Sequence, residues 1–195
     1  MTVTDTIDIE NTPVTLSQER RDLLETLRNQ RRFLTGTIRD LSDEQANVHS
    51  TVSALTLGGL IKHVTQVEAQ WARFALEGPE AFAGQAWVDV DWETFEQSLT
   101  DEVTAAYDAG FSMAPGETLA GLLAEYDAVA AATDELIATL PDLDHSHPLP
   151  KAPWFEQDAT WSMRRVFVHI LAETAQHSGH ADIIRESIDG AKSMG

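Results

Sequence analysis

Four stretches of this sequence repeat apolar residues at helical spacing, and no stretch of useful length alternates with the period of two that a strand requires. Leu24, Leu27, Leu34, Ile38 and Leu41 share one face of a helix predicted from Thr15 to about Asp40. Leu60, Val64, Val67, Trp71 and Phe74 do so for a second, from about Thr56 to Leu76. Leu119, Leu122, Tyr126, Val129, Thr133, Leu136 and Leu140 line a third, from about Thr118 to Leu140. A fourth begins near Ser162 and ends near Asp189 or Gly190. Each helix must bury its stripe on a neighbour, so the expected fold class is all-α, a four-helix bundle with one long connection.

The punctuation fits this plan. Thr15 with Gln18 predicts a capping box at the first helix, and Gly78-Pro79 stops the second. Gly58 and Gly59 allow a neighbour to approach closely. Residues 42–53 are polar and predict a turn, and 141–153 a Pro- and His-containing loop. Residues 1–14 predict a flexible tail, leaving one domain over 15–190. Residues 79–115 are acidic, rich in Pro and Gly, and carry Trp87, Trp92, Phe95, Tyr107 and Phe111. They predict an irregular insertion with one short helix over 94–108, either a cover packed on the bundle or a lid over a pocket.

The 195 residues carry a formal net charge of −19, which repels phosphate backbones and anionic lipid surfaces; neither nucleic acid nor membrane is an expected partner. Arg20, Arg21, Arg28, Arg31, Arg32 and Arg39 cluster in the first helix, where Asp22, Glu25 and Asp40 predict a solvated, charge-paired face. There is no cysteine, so disulfides, iron–sulfur clusters and a cysteine nucleophile are excluded, and any thiol chemistry uses a thiol from outside. The N-terminus lacks the basic and apolar regions of a signal peptide, and no apolar run approaches the ~20 residues of a membrane span. The expected location is the cytoplasm.

The seven histidines concentrate the chemistry. His49, His145 and His147 fall in predicted loops. His63 lies on or beside the apolar face of the second helix. At about 100° per residue, Glu173, His177 and His180 share a stripe of the last helix with Val166, Ile170 and Ile184, and His169 lies at its edge. A carboxylate on a core-facing seam must be compensated, by a metal or by a protonated histidine. Glu173 and His177, four residues apart, reach one ion from one helix. His63 from a facing helix completes a set of two nitrogens and one carboxylate, which leaves an open position as catalytic zinc sites do.

At these residues the chain resembles the DinB/YfiT-like superfamily, and more closely its actinobacterial branch. The similarity is carried by Leu55 through Val64 with Val67-Glu68 and Trp71, and by Trp161 through Val166, His169, Glu173, His177 through Glu186 and Asp189-Gly190. Leu41 through Gln45, closing the first helix, fits as well. The resemblance implies a DinB-like four-helix bundle with a divalent metal held by His63, Glu173 and His177. Glu173 stands where histidine is commoner; mycothiol-dependent maleylpyruvate isomerase, a relative, is similar in using Glu there. Zinc is the expected ion, with nickel, iron and manganese as alternatives. The implied function is a metal-dependent thiol S-transferase with mycothiol as co-substrate and a small electrophile as its other partner. His180 is the expected catalytic residue, orienting the ligand or accepting its proton, with an outer partner of a ligand, a fourth ligand and plain packing as alternatives; His169 is expected to be an outer partner or structural. A homodimer is left open. The alternative is a non-catalytic metal-containing binding or stress-response protein.

Overall fold

Each long helix begins where a hydroxyl takes up a backbone N–H that has no partner inside the helix. The protein is described here from a computed structural model, which covers residues 16–85, 88, 109–152 and 154–193. Helix α1 spans Gln18–Gly36, and its first turn is capped by Ser17, whose Oγ accepts from the Arg20 N–H. Helix α3, Leu57–Glu77, is capped by Thr56 on the Gly59 N–H. Helix α4, Leu119–Thr139, is capped by Thr118 on Gly121. Helix α5, Met163–Asp189, is capped by Ser162 on Arg165 and stops at Gly190 in the left-handed conformation.

The expected starts at Thr56, Thr118 and Ser162 agree with these caps. At α1 the cap is Ser17, and Thr15 lies outside the described residues; the helix ends at Gly36, and the chain turns at Asp40, which has φ of 62°. The polar stretch after it holds the short helix α2, Asp43–Ala46, closed by a capping box between Ser42 and Gln45. The loop after α4 holds strand β1, Ser146–Pro148, paired antiparallel with β2, Thr160–Ser162. Three residues are too few to leave an alternating signature in the sequence. A 3-10 turn, Gly78–Phe82, follows α3. The tail and the helix expected over 94–108 lie outside the described residues.

The architecture is mostly helical. Helix α5 packs on α1 and α3, and α4 packs on the same two from the other side. The core between them divides into two apolar clusters. One gathers Leu24, Leu27, Trp71, Phe74, Ile137, Phe167 and Ile170; the other gathers Leu34, Leu60, Ile61, Val64, Leu122, Tyr126 and Ile184. Each such side chain stabilises the fold by roughly 1.5–3 kcal/mol. Between the clusters every long helix contributes buried polar groups: Arg31 between Leu27 and Leu34, Glu68 between Val64 and Trp71, Thr133 between Tyr126 and Ile137, and Thr174, His177 and Ser178 between Ile170 and Ala181.

Arg21, Arg28, Arg32 and Arg39 are exposed as expected, but at Arg31 this polar layer corrects the expectation of a solvated arginine face. Arg31 is buried, and its guanidinium grips Glu68 of α3 and Asp134 of α4, the latter at 2.7 Å. Burial opposes its charge, but the Glu68 carboxylate and the hydrogen bonds to Glu68 and Asp134 outweigh that and raise its pKa. Arg28 adds a second contact to Asp134 at 2.6 Å. Arg20 donates to the carbonyls of Ile137 and Leu140, closing the end of α4. Partners on other helices are invisible to the pattern of one helix.

Candidate metal centre

His63 is placed by α3, and the glycines at the start of that helix decide what lies against it. A Cβ at Gly59 would fall 1.8 Å from the Phe111 carbonyl oxygen, so only glycine admits this contact. The Thr56 N–H and hydroxyl both donate to that same oxygen, at 3.1 and 3.0 Å. Phe111, so fixed, tilts its ring over His63 with centroids 4.9 Å apart. His63 also meets the His177 ring, with centroids 4.8 Å apart and planes at 75°.

Helix α5 supplies the other side. His177 Nε2 lies 3.6 Å from one Glu173 oxygen, and His169 Nε2 lies 3.8 Å from the other. One ligand atom each from His63, Glu173 and His177 fall within 4.8 Å of one another. Donors around one zinc ion lie roughly 3–4 Å apart, given bonds of about 2.0–2.2 Å, so a small rotamer adjustment would bring the three to a common ion. The expected ligand residues are therefore brought together. His177 is buried, while His63 and Glu173 are half-buried.

The protonation states suit a cation. Burial, reinforced by neighbouring His177 and opposed by Glu173, pushes His63 down from 6.5 to about 4, which leaves it neutral at pH 7 with a free lone pair. The neighbouring His177 imidazole, its Nε2 at 3.6 Å, holds the Glu173 carboxyl below its ordinary value against the burial that would raise it. Burial likewise lowers His169, outweighing the attraction of Glu173. At neutral pH the cluster sets an ionised Glu173 carboxylate against a neutral His63, with the His177 ring nitrogens beside them, a hard and borderline donor set.

The remaining histidines separate from this cluster. His180 meets His177 through the two Nδ1 atoms, at 3.4 Å, on the side of the ring away from Glu173. His145 and His147 stack edge to face on each other, and His147 also packs on Phe74. His49 lies near Ser112.

An open groove of about 1070 Å³ begins at His63, Glu173 and His169 and runs along α3 past Gln66 and Gln70. Aromatic side chains line it as well: Trp71, Phe82, Trp154 and Phe155. Sequence reasoning missed Gln66, Gln70, Phe155 and the groove-lining position of His169. The one available signal was His169-x-x-x-Glu173-x-x-x-His177, three groups on consecutive turns of one helix face.

Fold and donor set together define a mostly helical protein with a candidate single-ion centre at the mouth of a groove. The chain belongs to the mycothiol-S-transferase family, whose model matches residues 22–190. Comparison with curated proteins and with solved structures returns no match. Among the described residues no helix is long and apolar enough to cross a membrane.

Proposed function

We propose that this protein transfers a low-molecular-weight thiol, mycothiol, to a small electrophile, with His63, Glu173 and His177 holding a divalent ion, zinc by ligand type. The observation that carries this reading is the Glu173 carboxylate with one ligand atom each of His63 and His177 within 4.8 Å, beside an open groove. A divalent ion bound there supplies the Lewis acidity under which an incoming thiol ionises at neutral pH. No side chain of this chain can serve as that thiol, since it has no cysteine.

The chain's own residues do the rest. His63 and His177 offer ring nitrogens, and Glu173 offers the negative charge. His180 holds His177 through its Nδ1, fixing the ring so that Nε2 faces the centre. Gln66 and Gln70 give a polar thiol hydrogen-bonding partners along the groove. In the transfer the sulfur–carbon bond forms as the bond from carbon to its leaving group breaks. The leaving group keeps that bond's electron pair, and the thiol proton passes to solvent.

The finer architecture proposed is a DinB-type four-helix bundle over 15–190, with 79–115 as an insertion, working in the cytoplasm. Three protein donors beside a groove favour this over the non-catalytic alternative, which a fourth protein ligand would support; His180 meets the wrong nitrogen of His177 for that. The test incubates metal-loaded protein with mycothiol and monochlorobimane. His177→Ala should lower conjugation at least ~10²-fold. Wild-type rates no higher than those of metal-free protein, with mycothiol, bacillithiol, glutathione and coenzyme A alike, would overturn the transferase reading.

A further inference from the structure

The groove is lined by two unlike sets of side chains, glutamines and aromatic rings. Next to Glu173, the His169 ring packs edge-on against Trp71 at 4.7 Å and against Trp161 at 5.0 Å. Trp71 and Trp161 stack on each other at 4.8 Å with planes 21° apart, and Phe155 meets both edge to face. The aromatic wall is therefore continuous with the candidate centre through one imidazole. Trp71, Trp161 and Phe155 are each held by at least two other rings, and flat apolar groups gain most from such a surface.

Charge narrows the ligand further. The basic side chain among the described groove residues is Arg73, and it is already paired with Glu77 at 2.8 Å. Glu125 and Glu173 place negative charge in the same groove. With the proposed ion offset by Glu173 and by the thiolate it holds, an incoming carboxylate would meet Glu125 and no uncommitted cation among the described lining residues. An uncharged ligand carries no such penalty.

Resting on the transferase reading, we infer that the Trp71–Phe155 wall is the electrophile subsite and that it selects uncharged, planar aromatic electrophiles over small anionic ones. Trp154 and Phe155 then act as specificity residues, and the thiol lies on the glutamine side of the groove.

Two measurements on the metal-loaded protein separate this from the function on which it rests. The first is binding of tetramethylbimane, an uncharged, unreactive aromatic, followed by quenching of tryptophan emission. Trp154→Ala and Phe155→Leu should each weaken binding about tenfold, equal to ~1.4 kcal/mol, with metal content and melting temperature unchanged. Trp154 is 56% exposed, so its variant keeps the fold testable if Phe155→Leu does not. The second is mycothiol conjugation to benzyl bromide and to iodoacetate, each corrected for its uncatalysed rate. Wild type should favour benzyl bromide at least ~10-fold, and Trp154→Ala should reduce that ratio. Bimane binding without conjugation would leave the subsite standing and remove the transferase. Conjugation that favours iodoacetate, or bimane binding untouched by both substitutions, would overturn the subsite while the transferase stands.

Discussion

Two carboxylates are drawn into the middle of this molecule, and they are compensated in opposite ways. Glu68, 1% exposed, is gripped by Arg31 from the neighbouring helix, with Asp134 and Arg28 extending the pairing. Glu173, half-buried, faces His63, His169 and His177, of which His63 and His169 are biased by burial toward the neutral form. The first cluster contains its own cation; the second, on the proposed reading, takes one from outside. A buried ion pair complete within the chain does structural work, whereas a carboxylate beside a neutral His63 has no such partner built in.

The largest effect expected from breaking this comparison is at Arg31. Arg31→Met leaves Glu68 buried and unpaired and should cost ~3–5 kcal/mol in urea denaturation. Arg31→Met with Glu68→Leu should recover most of it, because a well-packed apolar pair often replaces a buried ion pair at little cost. A single substitution costing under ~1 kcal/mol would show that Glu68 is hydrated and not compensated by Arg31.

The second cluster should respond to metal. Protein purified without chelator is expected to carry about one divalent ion per chain by elemental analysis. Glu173→Gln and His177→Ala should each lose it, and metal content unchanged in both would remove the assignment. Chelation should lower the melting temperature by ~5–10 °C, taking ~2.7 kcal/mol for an ion at a hundred times its dissociation constant. The helical circular dichroism should persist at room temperature, since both apolar clusters form without the ion. Loss of helix on chelation would mean that the core depends on the metal.

A smaller change is expected at His180. If it holds His177, His180→Ala should weaken metal binding about 10–100-fold by competition titration without abolishing it. Affinity unchanged would return His180 to plain packing; complete loss of the ion would make it a ligand.

A further effect is in pH. Because the folded pKa of His63 is about 4, below its ordinary 6.5, the unfolded chain binds more protons between those values. The metal-free protein should therefore keep this contribution above pH 6.5 and lose it as pH falls through 4. His63→Asn should flatten that part of the stability profile. Glu173, lowered as well, adds to the loss at the acid end. A metal-free wild type whose stability did not change from pH 6.5 to 4.5 would contradict the burial of a neutral His63.

The same comparison explains what could be read from the sequence. Helix starts at Thr56, Thr118 and Ser162 were legible because a hydroxyl cap and the run after it are local. The Glu173 and His177 pairing was legible because four residues is one turn, and His63 could be joined to it through the resemblance. Arg31 and Glu68 were hidden by the habit of placing charge outside. Arg31 does sit at helical spacing between Leu27 and Leu34, and Glu68 between Val64 and Trp71, so the apolar stripes themselves pointed inward at both. What no pattern supplied was that the two interruptions fall at the same level on facing helices. The capping-box rule fits Ser42 with Gln45, where a turn was expected, while the cap of α1 fell to Ser17. The aromatic wall was hidden because Phe155 and Trp161 join Trp71 across some 90 residues of chain.

Both ends of the connection between α3 and α4 are fastened to α3. At one end Gln70 donates to the Ala81 carbonyl and accepts from Gln85. At the other, the Phe111 carbonyl sits on Gly59 and takes two hydrogen bonds from Thr56. The cost of closing a loop grows only with the logarithm of its length, so doubling it adds ~0.6 kcal/mol. Between anchors of this kind, sequence can be inserted, deleted or exchanged with little strain on His63 or its partners. The arrangement separates what must stay constant from what is free to diversify, so descendants of one such scaffold can change between the anchors while inheriting the same placement of His63, Glu173 and His177.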